Sequence, residues 1–181
     1  MKRLVAFAAL MLAGLLFLAA CTTPPITIPL SDVSIDLSIA ADSAGKVIFP
    51  ENPLEFKNSV PATSVASVTI RGKAQLAQAA SVSFDIYATD TDPGELGCAH
   101  PLLGKFYLCN PDDLKGRIQK VGDIAFEGNA GPVPFELRGT MLAKGINAES
   151  LYLGASIEGG TAGNVLYLEK MLAIVQLNIG K

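Results

Sequence analysis

The feature that most constrains this chain is a two-residue alternation of apolar and polar side chains along most of its length. Val33, Ile35, Leu37 and Ile39 alternate with Ser34, Asp36 and Ser38. Val68, Ile70, Ala74 and Leu76 alternate with Thr69, Arg71, Lys73 and Gln75, and Val82, Phe84 and Ile86 with Ser83 and Asp85. The pattern returns at Ile124 and Phe126, at Val133, Phe135 and Leu137, and at Leu151, Leu153, Ala155 and Ile157. Side chains on a strand point to opposite faces in turn, so such runs form strands with one face buried and one in water. Val165–Ile179 is apolar on both faces, as a central strand would be, with Met171, Ala173, Val175, Leu177 and Ile179 on one side.

Clusters of Gly, Pro and Asn separate the runs: Ser43-Ala44-Gly45, Pro50-Glu51-Asn52-Pro53, Gly128 to Pro132, and Gly159 to Asn164. These residues supply turn conformations. The last cluster reads as a hairpin joining the two C-terminal strands. About eight strands at regular spacing, without amphipathic helices between them, predict an all-β fold, an antiparallel β-sandwich. Thr89–Lys120 breaks the alternation and reads as an elaborated loop. Within it Asn110-Pro111-Asp112-Asp113 looks like the start of a short helix that Gly116 limits, with an Asp113–Arg117 pair one turn apart.

The first residues follow a different rule. Lys2 and Arg3 precede Leu4–Ala20, an uncharged run rich in Leu and Ala. This is the layout of a secretory signal, and the run is about as short as a bilayer span can be. It ends in Leu18-Ala19-Ala20-Cys21, which resembles the lipobox of bacterial lipoproteins. The resemblance implies cleavage before Cys21 and a lipid, such as palmitate, on that cysteine. Met1–Ala20 would then be a signal peptide, residues 21–32 a lipidated tether stiffened by Pro24, Pro25 and Pro29, and residues 33–181 a single sandwich domain. One acyl chain binds a membrane marginally, at about 0.8 kcal/mol per buried CH2, and two or three hold it firmly. Gram-negative lipoproteins retained in the inner membrane tend to carry Asp where this chain has Thr22. The expected address is therefore the cell envelope, in the outer membrane facing the periplasm or the cell surface if the organism is Gram-negative.

With Cys21 given to lipid, Cys98 and Cys109 remain, and export permits them to form a disulfide that pins the loop. The alternative, zinc held by Cys98, His100 and Cys109, offers three candidates without the paired spacing of four-ligand sites. Of the chain's 14 basic side chains, Lys2 and Arg3 belong to the leader, so the remaining chain is acidic. It lacks the clustered Lys and Arg of a nucleic-acid footprint, and no nucleic-acid partner is expected.

Asp90, Asp92 and Glu95 gather three carboxylates around Gly94, a weak candidate for calcium. Their register does not match a calcium loop and Pro93 stands among them, so a solvated acidic turn takes precedence. His100 is the single histidine, next to Pro101, and no Gly-x-Ser-x-Gly elbow, phosphate-cradling loop or dinucleotide fingerprint is present. No catalytic residue and no cofactor is expected. Leu102, Leu103, Phe106 and Tyr107 either cover one end of the core or form a partner-contacting patch. The leading expectation is a lipid-anchored, non-catalytic binding or structural module whose partner is an envelope protein or a glycan. The alternative is a small envelope hydrolase acting on glycan through paired carboxylates.

Overall fold

β10, Val165–Leu177, is the backbone of the first sheet because it is hydrogen-bonded along both edges. The computed structural model describes residues 24–37, 45–56, 65–101, 105–160 and 164–177. Residues 1–23, with Cys21, and Ile39 and Ile179 lie outside the described residues. Ten strands and one helix follow in chain order. They are β1 Ile26–Pro29, β2 Val33–Asp36, β3 Val47–Pro50, β4 Val65–Leu76, β5 Ala80–Thr89, β6 Phe106–Cys109, β7 Gln119–Asn129, β8 Val133–Arg138, α1 Thr140–Asn147, β9 Tyr152–Gly159 and β10. The first sheet runs β1-β10-β4-β8, with β2 also on β10; the second runs β6-β3-β9-β5-β7. All strand pairs are antiparallel. The architecture is the predicted β-sandwich, with ten strands rather than about eight.

Alternation places the core between the sheets. Ile70, Leu166, Leu168, Ala173 and Val175 face inward from the first sheet, and Phe84, Ile86, Ile124, Phe126 and Leu153 from the second. A fully buried side chain such as Phe84 contributes about 1.5–3 kcal/mol. Helix α1 packs on β4, β5 and β7, members of both sheets, through Met141, Leu142 and Ile146.

Three expectations need correction. Residues 26–29, placed in the tether, form β1, and Ile28 and Leu30 are buried, so the folded domain begins near Ile26 and not at Val33. Pro29 is tolerated because it ends an edge strand, where the missing N–H costs no ladder bond. β1 and β2 share one edge of β10: Ile26 pairs with Val175, and Val33 with Leu168. Between them Lys170 adopts a left-handed conformation (φ 53°), and its N–H donates to Asp32 Oδ1 at 2.8 Å.

The Gly159–Asn164 cluster does not make a hairpin. β9 and β10 lie in different sheets, and the chain crosses between them. Gly160 (φ 101°) passes so close to β5 that a Cβ would stand 2.5 Å from the Ser81 carbonyl oxygen. Asn164 secures the crossing: its Oδ1 accepts from the N–H groups of Gln78 and Val165, and its Nδ2 donates to the Gln78 carbonyl.

The segment at Asn110 forms successive turns, not a helix. Asn110 accepts from Asp112 N–H and donates to Asp113 Oδ2, while Gly116 (φ 84°) reverses the chain. Asp112 pairs with Lys115. The helix lies instead at Thr140–Asn147.

Candidate functional site: the outer face of the second sheet

The register of β3 turns apolar side chains outward. Ile48 pairs with Ala155 in the core face, so Val47 and Phe49 point to the opposite face, beside Cys109 and Tyr107 of β6. Phe49 lies over Gly154, where a Cβ would stand 2.7 Å from its ring. These residues would be exposed on an uncovered sheet. The loop from Asp90 to Ile118 covers them with Leu96, Leu114 and Ile118, which makes a second, smaller hydrophobic core with Tyr152.

Polar groups and one covalent bond hold this cover down. The predicted disulfide joins Cys98 to Cys109, with Cα atoms 4.7 Å apart. Thr89 is fully buried; its hydroxyl donates to the Arg117 carbonyl at 3.0 Å and accepts from Thr91 N–H at 3.2 Å. Asp92 Oδ1 accepts from Gly94 N–H at 2.7 Å, and Oδ2 accepts from the Tyr152 hydroxyl at 3.2 Å. Burial, then the charge of Asp92, pushes the Tyr152 hydroxyl up to about 12.

The acidic triad is thereby dispersed. Asp92 has an acceptor bond on each oxygen, Asp90 accepts from Thr91 Oγ1 at 3.1 Å, and Glu95 is exposed. Among the described residues no three His, Cys, Asp or Glu are grouped to hold a metal ion. The zinc reading fails on the disulfide, which occupies two of its three ligands. His100 is exposed, its ring edge-on to Tyr107 at 4.9 Å. Phe106 is buried and Tyr107 half-buried, so both serve the sheet as core cover; Leu102 and Leu103 lie outside the described residues.

The other half of this outer face is open and polar. Across β9, β5 and β7 its rows read Gly154, Tyr87 and Lys120; Ser156, Asp85 and Asp123; Gly159, Ser83 and Ala125; then Ser81 and Glu127. Asp85 stands directly opposite Asp123, a like-charge pair that destabilises a sheet on its own. Lys120 offsets it, with Nζ 2.6 Å from Asp85 Oδ1. The hydrogen bond to Asp85 raises the Lys120 ammonium above its ordinary value, helped by Glu158 and Asp123. Tyr87 beside them is raised by burial and by Asp85, with Lys120 acting against the shift.

Two depressions mark the region. One of about 490 Å³ lies over Ser81, Ser83, Ala125, Glu127 and Gly159. The other, of about 260 Å³, lies against the disulfide between Lys46, Leu96, Asn110 and Asp113. Neither is lined by two carboxylates. The open face offers hydroxyls, carboxylates and one ammonium, a surface for hydrogen bonding. The sequence pattern marks Asp85 as outward-facing, but its meeting with Lys120 depends on cross-strand register.

No family model matches the chain, and no curated protein matches it. Solved structures give slight likenesses. A carbohydrate binding module from glycoside hydrolase family 9 (Cel9A) of Ruminococcus flavefaciens FD-1 aligns with TM-score 0.39 and 8% identity, over 83% of this chain and 98% of that one. A chain of Desmodium yellow mottle tymovirus aligns with TM-score 0.25 and 7% identity, over 87% and 88%. One of Maize Chlorotic Mottle Virus aligns with TM-score 0.21 and 13% identity, over 88% and 97%. Likenesses this slight carry no argument about the site.

Proposed function

We propose that this chain is a lipid-anchored, non-catalytic binding module of the cell envelope. In this reading Cys21 carries the lipid, and the open outer face of the second sheet meets an envelope protein or a glycan. The observation that carries it is Leu18-Ala19-Ala20-Cys21, placed at the end of an apolar run and five residues before the first strand. That spacing leaves only Thr22–Pro25 between the lipid and the sandwich, so the domain is held against the membrane it is anchored to. Thr22 in place of an acid favours the outer membrane where one exists. The hydrolase alternative needs two carboxylates facing each other across a cleft. Each depression described above has one, so no observation favours that alternative.

Growth with an alkyne-bearing palmitate, followed by intact mass and membrane fractionation, tests the anchor. The chain should incorporate the label and partition with membranes, and Cys21→Ala should abolish both. Release of an unlabelled protein would overturn it. Cross-linking in intact cells with a photoreactive group at Ala125 should capture one reproducible protein or glycan; turnover of a glycan by the purified protein would overturn the non-catalytic reading.

A further inference from the structure

The outer face of the first sheet is open as well, and its side chains differ along the strands. Near the start of β1, one row holds Thr27, Ile174, Thr69 and Arg138, and the next holds Pro29, Leu172, Arg71 and Glu136. Both arginines pair with Glu136, which leaves one positive charge in excess there. The acids Asp36 and Glu169 lie further along, beyond the bulge at Lys170.

Among the described residues two large hydrophobic side chains are exposed, Ile26 at 37% and Leu172 at 43%. Leu172 stands on the outer face opposite Pro29; Ile26, about 10 Å along the strand, pairs with Val175 and so lies on the core-side face at the sheet's edge. Cys21 precedes Ile26 by five residues, so the chain between them reaches at most about 17 Å. The outer-face apolar group of Leu172, Pro29 and Ile174 and the point where the lipid would leave the chain thus both lie close to the short strand β1. The sandwich's other outer face, a sheet separation of about 10 Å away, carries Asp85, Asp123, Glu127 and Glu158 against Lys120. An anionic surface would repel that face and attract the arginines of this one.

We infer that the Leu172–Arg71–Arg138 half of this face rests on an anionic phospholipid surface and holds the acidic face of the second sheet away from it. The inference rests on the lipid-anchor reading and adds an orientation to it. Leu172, Ile174 and Pro29 meet the interfacial region, and Arg71 and Arg138 meet phosphate. A lipid chain alone would leave the domain free to turn; this contact fixes which side is presented to a partner.

Intact mass of the purified mature protein first establishes whether Cys21 is acylated. The protein is then placed in vesicles of equal parts phosphatidylglycerol and phosphatidylethanolamine containing a headgroup nitroxide lipid. A fluorophore is attached at Leu172→Cys, at Gln176→Cys on the same face, or at Ala125→Cys on the other. Emission at 172 and 176 should be quenched and emission at 125 spared. Arg138→Gln should weaken the docking about fivefold, and pure phosphatidylcholine should release it. Equal quenching at all three positions in acylated protein overturns this inference and leaves the anchor standing; an unacylated mass overturns both. Self-quenching at 172 that grows with protein density at fixed lipid overturns it in favour of a second copy of the chain.

Discussion

The two hydrophobic cores of this molecule are made of the same residue types by different means. The large one lies between the sheets, and strand alternation alone directs side chains such as Phe84, Leu137 and Val175 into it. The small one lies outside the sandwich, where Val47, Phe49 and Tyr152 are covered by a loop that a disulfide, a buried threonine and one carboxylate hold in place. The first core follows from secondary structure. The second requires tertiary fasteners, because outside β6 and the Ala99–Leu108 bridge its cover makes no ladder and regains little area for the chain entropy it gives up.

The contrast can be tested from its strongest element down. Phe84→Ala should cost about 3–5 kcal/mol in chemical denaturation and unfold both regions together; a loss limited to one sheet would break the idea of a single main core. Replacing Cys98 and Cys109 together by serine should cost at most about 3 kcal/mol. Hydrogen exchange should then rise across residues 91–118 while β4 and β10 stay protected. Equal deprotection in both places would mean that the cover and the sandwich are one cooperative unit.

Tyr152 gives the small core a signature in alkali. Its folded value is raised from 10.0 to about 12, so below the ordinary value both states are neutral and the stabilisation is intact. As pH rises between the two values the unfolded chain releases a proton that the folded chain retains, and stability falls by about 2–3 kcal/mol over the full window. Denaturant titrations across that range should show the decline. Tyr152→Phe should remove this contribution, at a cost of about 1 kcal/mol at neutral pH for the Asp92 oxygen it leaves without its hydroxyl. The smallest effect belongs to the open face. Lys120→Gln should cost about 1 kcal/mol or less, and melts should show the difference shrinking with added salt.

Strands whose outer face meets water were legible in the sequence, because burial on one side writes a period of two. β4, β5, β7, β8 and β9 fall where the alternation puts them, and β10 falls on the run expected to be central. β3 was not legible, because the loop covers its outer side and Val47, Ile48 and Phe49 are all buried. β1 was hidden by prolines that read as a stiff tether. The helix was missed for a reason that local sequence does not carry. Gly139 caps it without a side chain, and the Met141 N–H is instead satisfied by Gln119 Oε1 from β7, at 2.8 Å. Gly145 then lets Leu151 approach where a Cβ would stand 2.7 Å from its Cδ1. The disulfide followed from setting Cys21 aside. The acidic triad misled for the opposite reason, since its residues are close in sequence while Asp92 turns to bond a tyrosine sixty positions away.

The position of β10 has a consequence for when the domain can form. Its edges are claimed by β4 on one side and by β1 and β2 on the other, so Ile26 waits for Val175, almost the whole chain later. Partners this distant in sequence slow folding, because the intervening loop must be ordered before the contact rewards it. The first sheet therefore cannot close until β10 has joined it, whereas the second sheet, β6-β3-β9-β5-β7, contains no part of β10.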